Sequence, residues 1–206
     1  MINSFSTATS PKRAVIAIHG WTGDISSMEP IAKSIGLPDT KWVIPQAPYI
    51  SDKKGYTWFQ GNDKIGWKYE DSFSLLSKII SDLLEKGFTH QQLFMIGFSQ
   101  GACFIMEYII RQSFSIGGII PIAGFIKDQG RFRKDITPES KQTRVLLLHG
   151  DKDDVIFPEG STKAHKLFEE AGYNSQYHFL PAKHKIPTKA IPLIKTFILS
   201  GKIDLI

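Results

Sequence analysis

Leu93-Phe94-Met95-Ile96-Gly97-Phe98-Ser99-Gln100-Gly101-Ala102-Cys103-Phe104-Ile105-Met106 is the stretch on which the reading of this chain turns. Its first four residues form a short apolar block, the pattern of a buried strand. The run from Ala102 to Ile110 is almost wholly apolar and long enough for a buried helix. Between them, G-x-S-x-G puts a serine on a tight strand-to-helix turn. The glycines have a physical reason. At so sharp a turn the serine backbone is strained, and a Cβ two residues to either side collides with the neighbouring strand or helix. Ser99 is therefore the first candidate catalytic residue.

Working outward, short β-branched or apolar blocks alternate with helical patterns, which predicts β-α repeats and a mainly parallel sheet flanked by helices. Strands are expected at 14–19, 41–45, 93–98, 117–123, 144–149 and 175–180, and helices at 28–35, 70–86, 100–112, 158–171 and about 188–200. The 70–86 segment carries Phe73, Leu76, Ile80 and Leu83 on one stripe, with Glu70 and Asp71 at its start and Gly87 after its end. In 158–171, Ala164, Leu167, Phe168 and Ala171 share a face, Pro158 suits the first turn and Gly172 the stop. The longest irregular stretch, 46–69, is rich in glycine, lysine and aromatics, and a long loop in a compact domain is often functional. No internal repeat or linker divides the chain, so one domain is expected over 1–206, with its core at about 14–200.

Composition narrows the function classes. A net charge of +5 over 206 residues could suggest nucleic acid. The lysines are dispersed, however, and no basic run is interleaved with stacking aromatics, so nucleic acid is not expected as a partner. The single cysteine, Cys103, excludes an intrachain disulfide and is expected to be an inert buried thiol. The first residues lack the charged and apolar regions of a signal peptide, and no apolar run approaches a membrane span. A cytoplasmic location is the resulting expectation.

A serine hydroxyl is a poor nucleophile near neutral pH and needs a general base, which in turn needs an orienting acid. Downstream of Ser99, the strand Val145-Leu146-Leu147-Leu148 runs into His149-Gly150-Asp151-Lys152-Asp153-Asp154, three carboxylates at the edge of a parallel sheet where sites are built. Asp151 can instead tie down the turn through backbone N–H groups, and Asp154 can be solvated. Next comes His184, in a loop just before the last helix. His19 and His149 stand at strand ends before glycines and suit loop support, while His90, His165 and His178 suit surface or satisfied core positions. Upstream, Val15-Ile16-Ala17-Ile18 leads into His19-Gly20-Trp21-Thr22-Gly23, a turn that can aim a backbone N–H at a developing oxyanion.

Ile16-Ala17-Ile18-His19-Gly20, Gly97-Phe98-Ser99-Gln100-Gly101, His149-Gly150-x-x-Asp153-x-Val155 and the His184 loop together resemble the phospholipase/carboxylesterase family, which includes the acyl-protein thioesterases. Trp58-Phe59 and the Gly117–Phe125 strand are similar to further segments of that family, so the likeness spans roughly 14–200. It implies an α/β-hydrolase fold without a cap domain, and the twenty or so residues between Gly124 and Arg144 are likewise too few for one. The resemblance assigns Ser99 as nucleophile, Asp153 as acid and His184 as base, with the backbone N–H groups of Trp21 and Gln100 as oxyanion donors. Trp21, Trp58 and Phe59 are the expected substrate-binding residues. The chain departs from the family pattern at Thr22, Ala123 and Lys183. Lys183 and Lys185 flank the base, where positive charge opposes its protonation.

The expected function is hydrolysis of a small ester or thioester of short to medium acyl length through an acyl-enzyme intermediate, with an acylated protein as another possible substrate. No metal and no organic cofactor is implied. The other readings are a non-catalytic binding module on a hydrolase scaffold, or a dienelactone-hydrolase-like enzyme, whose usual nucleophile is cysteine. Monomer and homodimer both remain open.

Overall fold

In the computed structural model, which describes residues 1–62 and 64–200, the chain begins with β1 (Ile2–Ser6), β2 (Arg13–Ile18), α1 (Ile25–Ile35) and β3 (Thr40–Pro45). Two short hairpins follow, β4 (Tyr49–Ile50) with β5 (Tyr56–Thr57), and β6 (Gln60–Asn62) with β7 (Gly66–Lys68). Then come α2 (Glu70–Glu85), β8 (Leu93–Phe98), α3 (Gln100–Ile109), β9 (Gly118–Ile122), α4 (Gln129–Asp135), β10 (Val145–Gly150), α5 (Glu159–Glu170), β11 (Ser175–Leu180) and α6 (Ala190–Leu199).

Seven strands form the central sheet in the order β1-β3-β2-β8-β9-β10-β11, parallel throughout except for β1, which runs antiparallel to β3 at the edge. Strand side chains alternate between faces, and β2 displays this directly. Its Ala14, Ile16 and Ile18 pack with Leu76 and Ile80 of α2, Phe104 and Tyr108 of α3, and Phe168 of α5. Its Val15 and Ala17 face the opposite layer, with Met28 and Ile35 of α1 and Ile194 and Phe197 of α6. The sheet is thus covered on both sides, which is why its central strands read as unbroken apolar runs. This is the α/β-hydrolase architecture the sequence implied.

The differences are local. A core expected to start near residue 14 gains the edge strand β1, whose side chains alternate between exposed and half-buried as they point to opposite faces. The α1 helix starts three residues before the expected 28, where Asp24 accepts from the Ser27 N–H and the Ser27 hydroxyl accepts from the Asp24 N–H. The irregular 46–69 stretch contains the two hairpins. Between Gly124 and Arg144 the chain places the seven-residue helix α4 and a short 3-10 turn, Glu139–Gln142, rather than a cap domain. Residues 201–206, counted within the expected domain, lie outside the described residues.

Candidate active site

Ser99 sits between β8 and α3 at φ 54°, ψ −116°, a sparsely populated region for any side chain but glycine. The surrounding chain enforces it: the Ser99 N–H donates to the Ile122 carbonyl at 2.8 Å. The glycine argument from sequence holds in detail. A Cβ on Gly97 would stand 2.4 Å from the Gly101 carbonyl oxygen, and one on Gly101 would stand 2.5 Å from the His19 carbonyl oxygen. Both distances are below any tolerated contact, so the elbow needs glycine on both sides.

The loop after β11 brings His184 to this serine, with Nε2 3.1 Å from Ser99 Oγ. The Nδ1 of His184 lies 2.8 Å from Asp153 Oδ2. Asp153 Oδ1 accepts from the N–H groups of Val155 and Ile156, each at 3.0 Å. Burial acts to raise the Asp153 pKa, but the hydrogen bond from His184 and the two amides outweigh it and hold the carboxyl below its usual range. The neighbouring carboxylates do other things. Asp151 accepts from the Ala182 N–H at 3.2 Å and ties the His184 loop to β10. Asp154 is exposed and faces Lys183 Nζ at 3.4 Å. Lys183 is thereby drawn to a carboxylate, so less of its charge bears on His184 than the sequence suggests.

The turn after β2 is stitched to the first hairpin, with the Thr22 N–H donating to the Tyr56 carbonyl and the Tyr56 N–H to that of Gly23. Thr22 adopts φ 65° there, a left-handed conformation costly for a β-branched residue. His19 supports the turn from within: its Nδ1–H donates to the Gly20 carbonyl at 2.7 Å while Nε2 accepts from the Ala47 N–H at 3.1 Å. Burial lowers its pKa, and a neutral ring is what those two bonds require. Trp21 and Gln100 line the groove beside Ser99. Gln100 is the first residue of α3, where backbone N–H groups have no partner within the helix. Among the described residues, no acceptor engages the N–H of Trp21 or of Gln100.

A groove of about 1220 Å³ leads away from Ser99. Phe59, Phe73, Cys103, Phe125 and Ile156 line it together with the exposed Trp21 and the charged Glu107, Arg111 and Arg131. Of the adjacent aromatics expected to bind substrate, Phe59 lines the groove and Trp58 does not. The Trp58 side chain is wholly buried, stacked on Phe104 at 4.8 Å, with Nε1–H donating to the His19 carbonyl at 2.9 Å. Its backbone N–H donates to the Gln100 side-chain oxygen at 3.0 Å. Cys103 lines the groove one turn after Ser99, yet its thiol accepts from the Phe125 N–H and burial pushes its pKa up to about 12. Sequence reasoning missed the α4 contribution, because a short, polar seven-residue helix carries no apolar period.

The family assignment rests on a match over residues 5–200 to the phospholipase/carboxylesterase family model. The chain belongs to the phospholipase/carboxylesterase family. It is 28% identical over 192 residues to acyl-protein thioesterase 1 homolog 2 of Dictyostelium discoideum, covering 85% of each chain. To carboxylesterase SOBER1 of Arabidopsis thaliana it is 24% identical over 201 residues, covering 89% of this chain and 88% of the relative. The crystal structure of esterase PE8 superposes with a TM-score of 0.85 at 23% identity, covering 97% and 98% of the two chains, a likeness of fold. Among the described residues of this family member, no helix is long and apolar enough to cross a membrane, and no cluster of three or more His, Cys, Asp or Glu side chains could hold a metal ion.

Proposed function

We propose that this chain is a serine hydrolase of carboxylic esters or thioesters, working as one domain. The observation that carries the reading is the continuous run of contacts from Ser99 Oγ to His184 Nε2 at 3.1 Å and from His184 Nδ1 to Asp153 Oδ2 at 2.8 Å. In it, Ser99 Oγ attacks the acyl carbon while its proton passes to His184 Nε2. Asp153, kept as a carboxylate by its low pKa, holds the Nδ1–H tautomer and stabilises the imidazolium. The N–H groups of Trp21 and Gln100 receive the oxyanion. His184 then returns its proton to the departing alcohol or thiol, and water repeats the sequence on the acyl-enzyme to release the acid.

The apolar wall formed by Phe59, Phe73 and Phe125 suits a short to medium acyl chain. The names of its relatives support both an oxygen ester and an acylated protein thiol as the substrate. The test is covalent. A fluorophosphonate should modify the protein once, at Ser99, with loss of esterase activity and with no labelling of Ser99→Ala, followed by intact mass and peptide mapping. Labelling at another residue, or none on a folded protein, would refute the mechanism.

A further inference from the structure

Behind the triad, a second histidine is bound in a way that a neutral ring cannot satisfy. His149 ends β10 with its side chain fully buried. Its Nδ1 lies 2.7 Å from Ser161 Oγ, and its Nε2 lies 2.8 Å from the Ile156 carbonyl oxygen. The Ser161 hydroxyl donates to the Gly124 carbonyl oxygen at 2.7 Å. A carbonyl oxygen can only accept, so these three contacts consume three hydrogens. A serine supplies one and a neutral imidazole supplies one. If Ser161 gives its hydrogen to Gly124, Nδ1 must carry a hydrogen to donate to Ser161, and Nε2 must carry another to donate to Ile156. His19 makes the contrast: it faces one acceptor and one N–H donor and needs a single hydrogen.

We propose that His149 is an imidazolium in the resting enzyme and acts as a positioning residue for Asp153. This inference rests on the serine-hydrolase reading for its catalytic consequence, though not for the protonation itself. A buried charge must be paired, and the counter-charge is present. Asp153 Oδ2 stands 3.2 Å from His149 Nε2, with neither side chain exposed. The same oxygen receives His184 Nδ1. Asp153 therefore lies between two histidines, one that shuttles the proton and one that stays charged. The relay from Gly124 through Ser161 and His149 to Ile156 also reaches the groove, which Phe125 and Ile156 line. The strand-end His-Gly thus serves the triad carboxylate as well as the loop.

The test is imidazole ¹⁵N NMR on the full chain, with His149 assigned by signals missing from His149→Gln and moved in Ser161→Ala. Both His149 nitrogens should resonate as protonated in the wild type. Ser161→Ala, which removes the acceptor for Nδ1–H, should convert His149 to the neutral Nε2–H form. One unprotonated nitrogen in the wild type would overturn the imidazolium, whatever the fate of esterase activity. His149→Gln should lower kcat about 10- to 100-fold with KM within about twofold, the mark of a misplaced catalytic group rather than lost binding. An unchanged kcat would overturn the positioning role. If His149→Gln fails to fold, the Ser161→Ala spectrum and its kcat decide both points. A failed Ser99 labelling beside a doubly protonated His149 would sink the hydrolase reading and leave the charge assignment standing.

Discussion

Replacing Trp58 separates the groove wall from the core beneath it. Its side chain has no exposed surface, stacks on Phe104 and satisfies the His19 carbonyl with its indole N–H. Truncating a buried Trp to alanine costs about 3–5 kcal/mol in lost contacts and cavity. Stranding a buried carbonyl adds about 1–3 kcal/mol. The sum, roughly 4–8 kcal/mol, is a large part of the ~5–15 kcal/mol that holds a domain of this kind together. Trp58→Phe keeps most of the ring and loses the donor, so it should cost only the smaller of the two. The assay is urea unfolding with the slope held in view, because a changed slope would signal an altered denatured state. Beside it, kcat/KM is measured on nitrophenyl esters of graded chain length. Trp58→Phe should lose about 1–3 kcal/mol of stability, lower kcat through the His19-Gly20-Trp21 turn, and leave the order of preference among acyl chains unchanged. A Trp58→Phe enzyme of wild-type stability with a shifted chain-length profile would refute this placement and return Trp58 to the groove wall.

Three further outcomes follow from the geometry. Asp153→Asn should reduce kcat by about 10⁴-fold, since an amide favours the wrong His184 tautomer; Asp151→Asn should instead cost about 0.5–1.5 kcal/mol of stability through its bond to the Ala182 N–H, and a reversed order in steady-state kinetics would make Asp151 the acid. Phe59→Ala should lower kcat/KM more for octanoyl than for acetyl esters, at about 0.8 kcal/mol per methylene no longer buried; a uniform drop across chain lengths would remove Phe59 from the acyl wall. With its thiol pushed up to about 12, Cys103 should resist iodoacetamide at pH 8 in the folded protein and react after unfolding in urea, and mass spectrometry showing rapid native alkylation would contradict that raised pKa.

The sequence alone determined what short-range patterns encode. An apolar strand, two glycines and an apolar helix identify the elbow around Ser99; the exclusion at Gly97 acts over four residues, whereas that at Gly101 comes from the His19 carbonyl of a neighbouring strand end. The stripes of α2 and α5 are legible because a helix face repeats within a few turns. The chain order of serine, acid and histidine could be read for the same reason: each member follows closely on a strand legible in the sequence. Resemblance to the family then selected Asp153 from three adjacent carboxylates, a choice that spacing left open. Other properties belong only to the folded chain. β1 was invisible because Ile2–Ser6 buries little and is held by backbone pairing with β3, which no side-chain period records. Trp58 and Phe59 are neighbours of similar character that both touch Phe104, and only the tertiary structure, which buries Trp58 and turns Phe59 to the groove, decides which is core and which is wall. His149 and His19 both precede glycine at strand ends, yet one meets the Ile156 carbonyl and, through Ser161, the Gly124 carbonyl, while the other meets a donor from Ala47. Partners brought together from 12 and 28 residues away set those protonation states, so tertiary contact, and not local sequence, decides them.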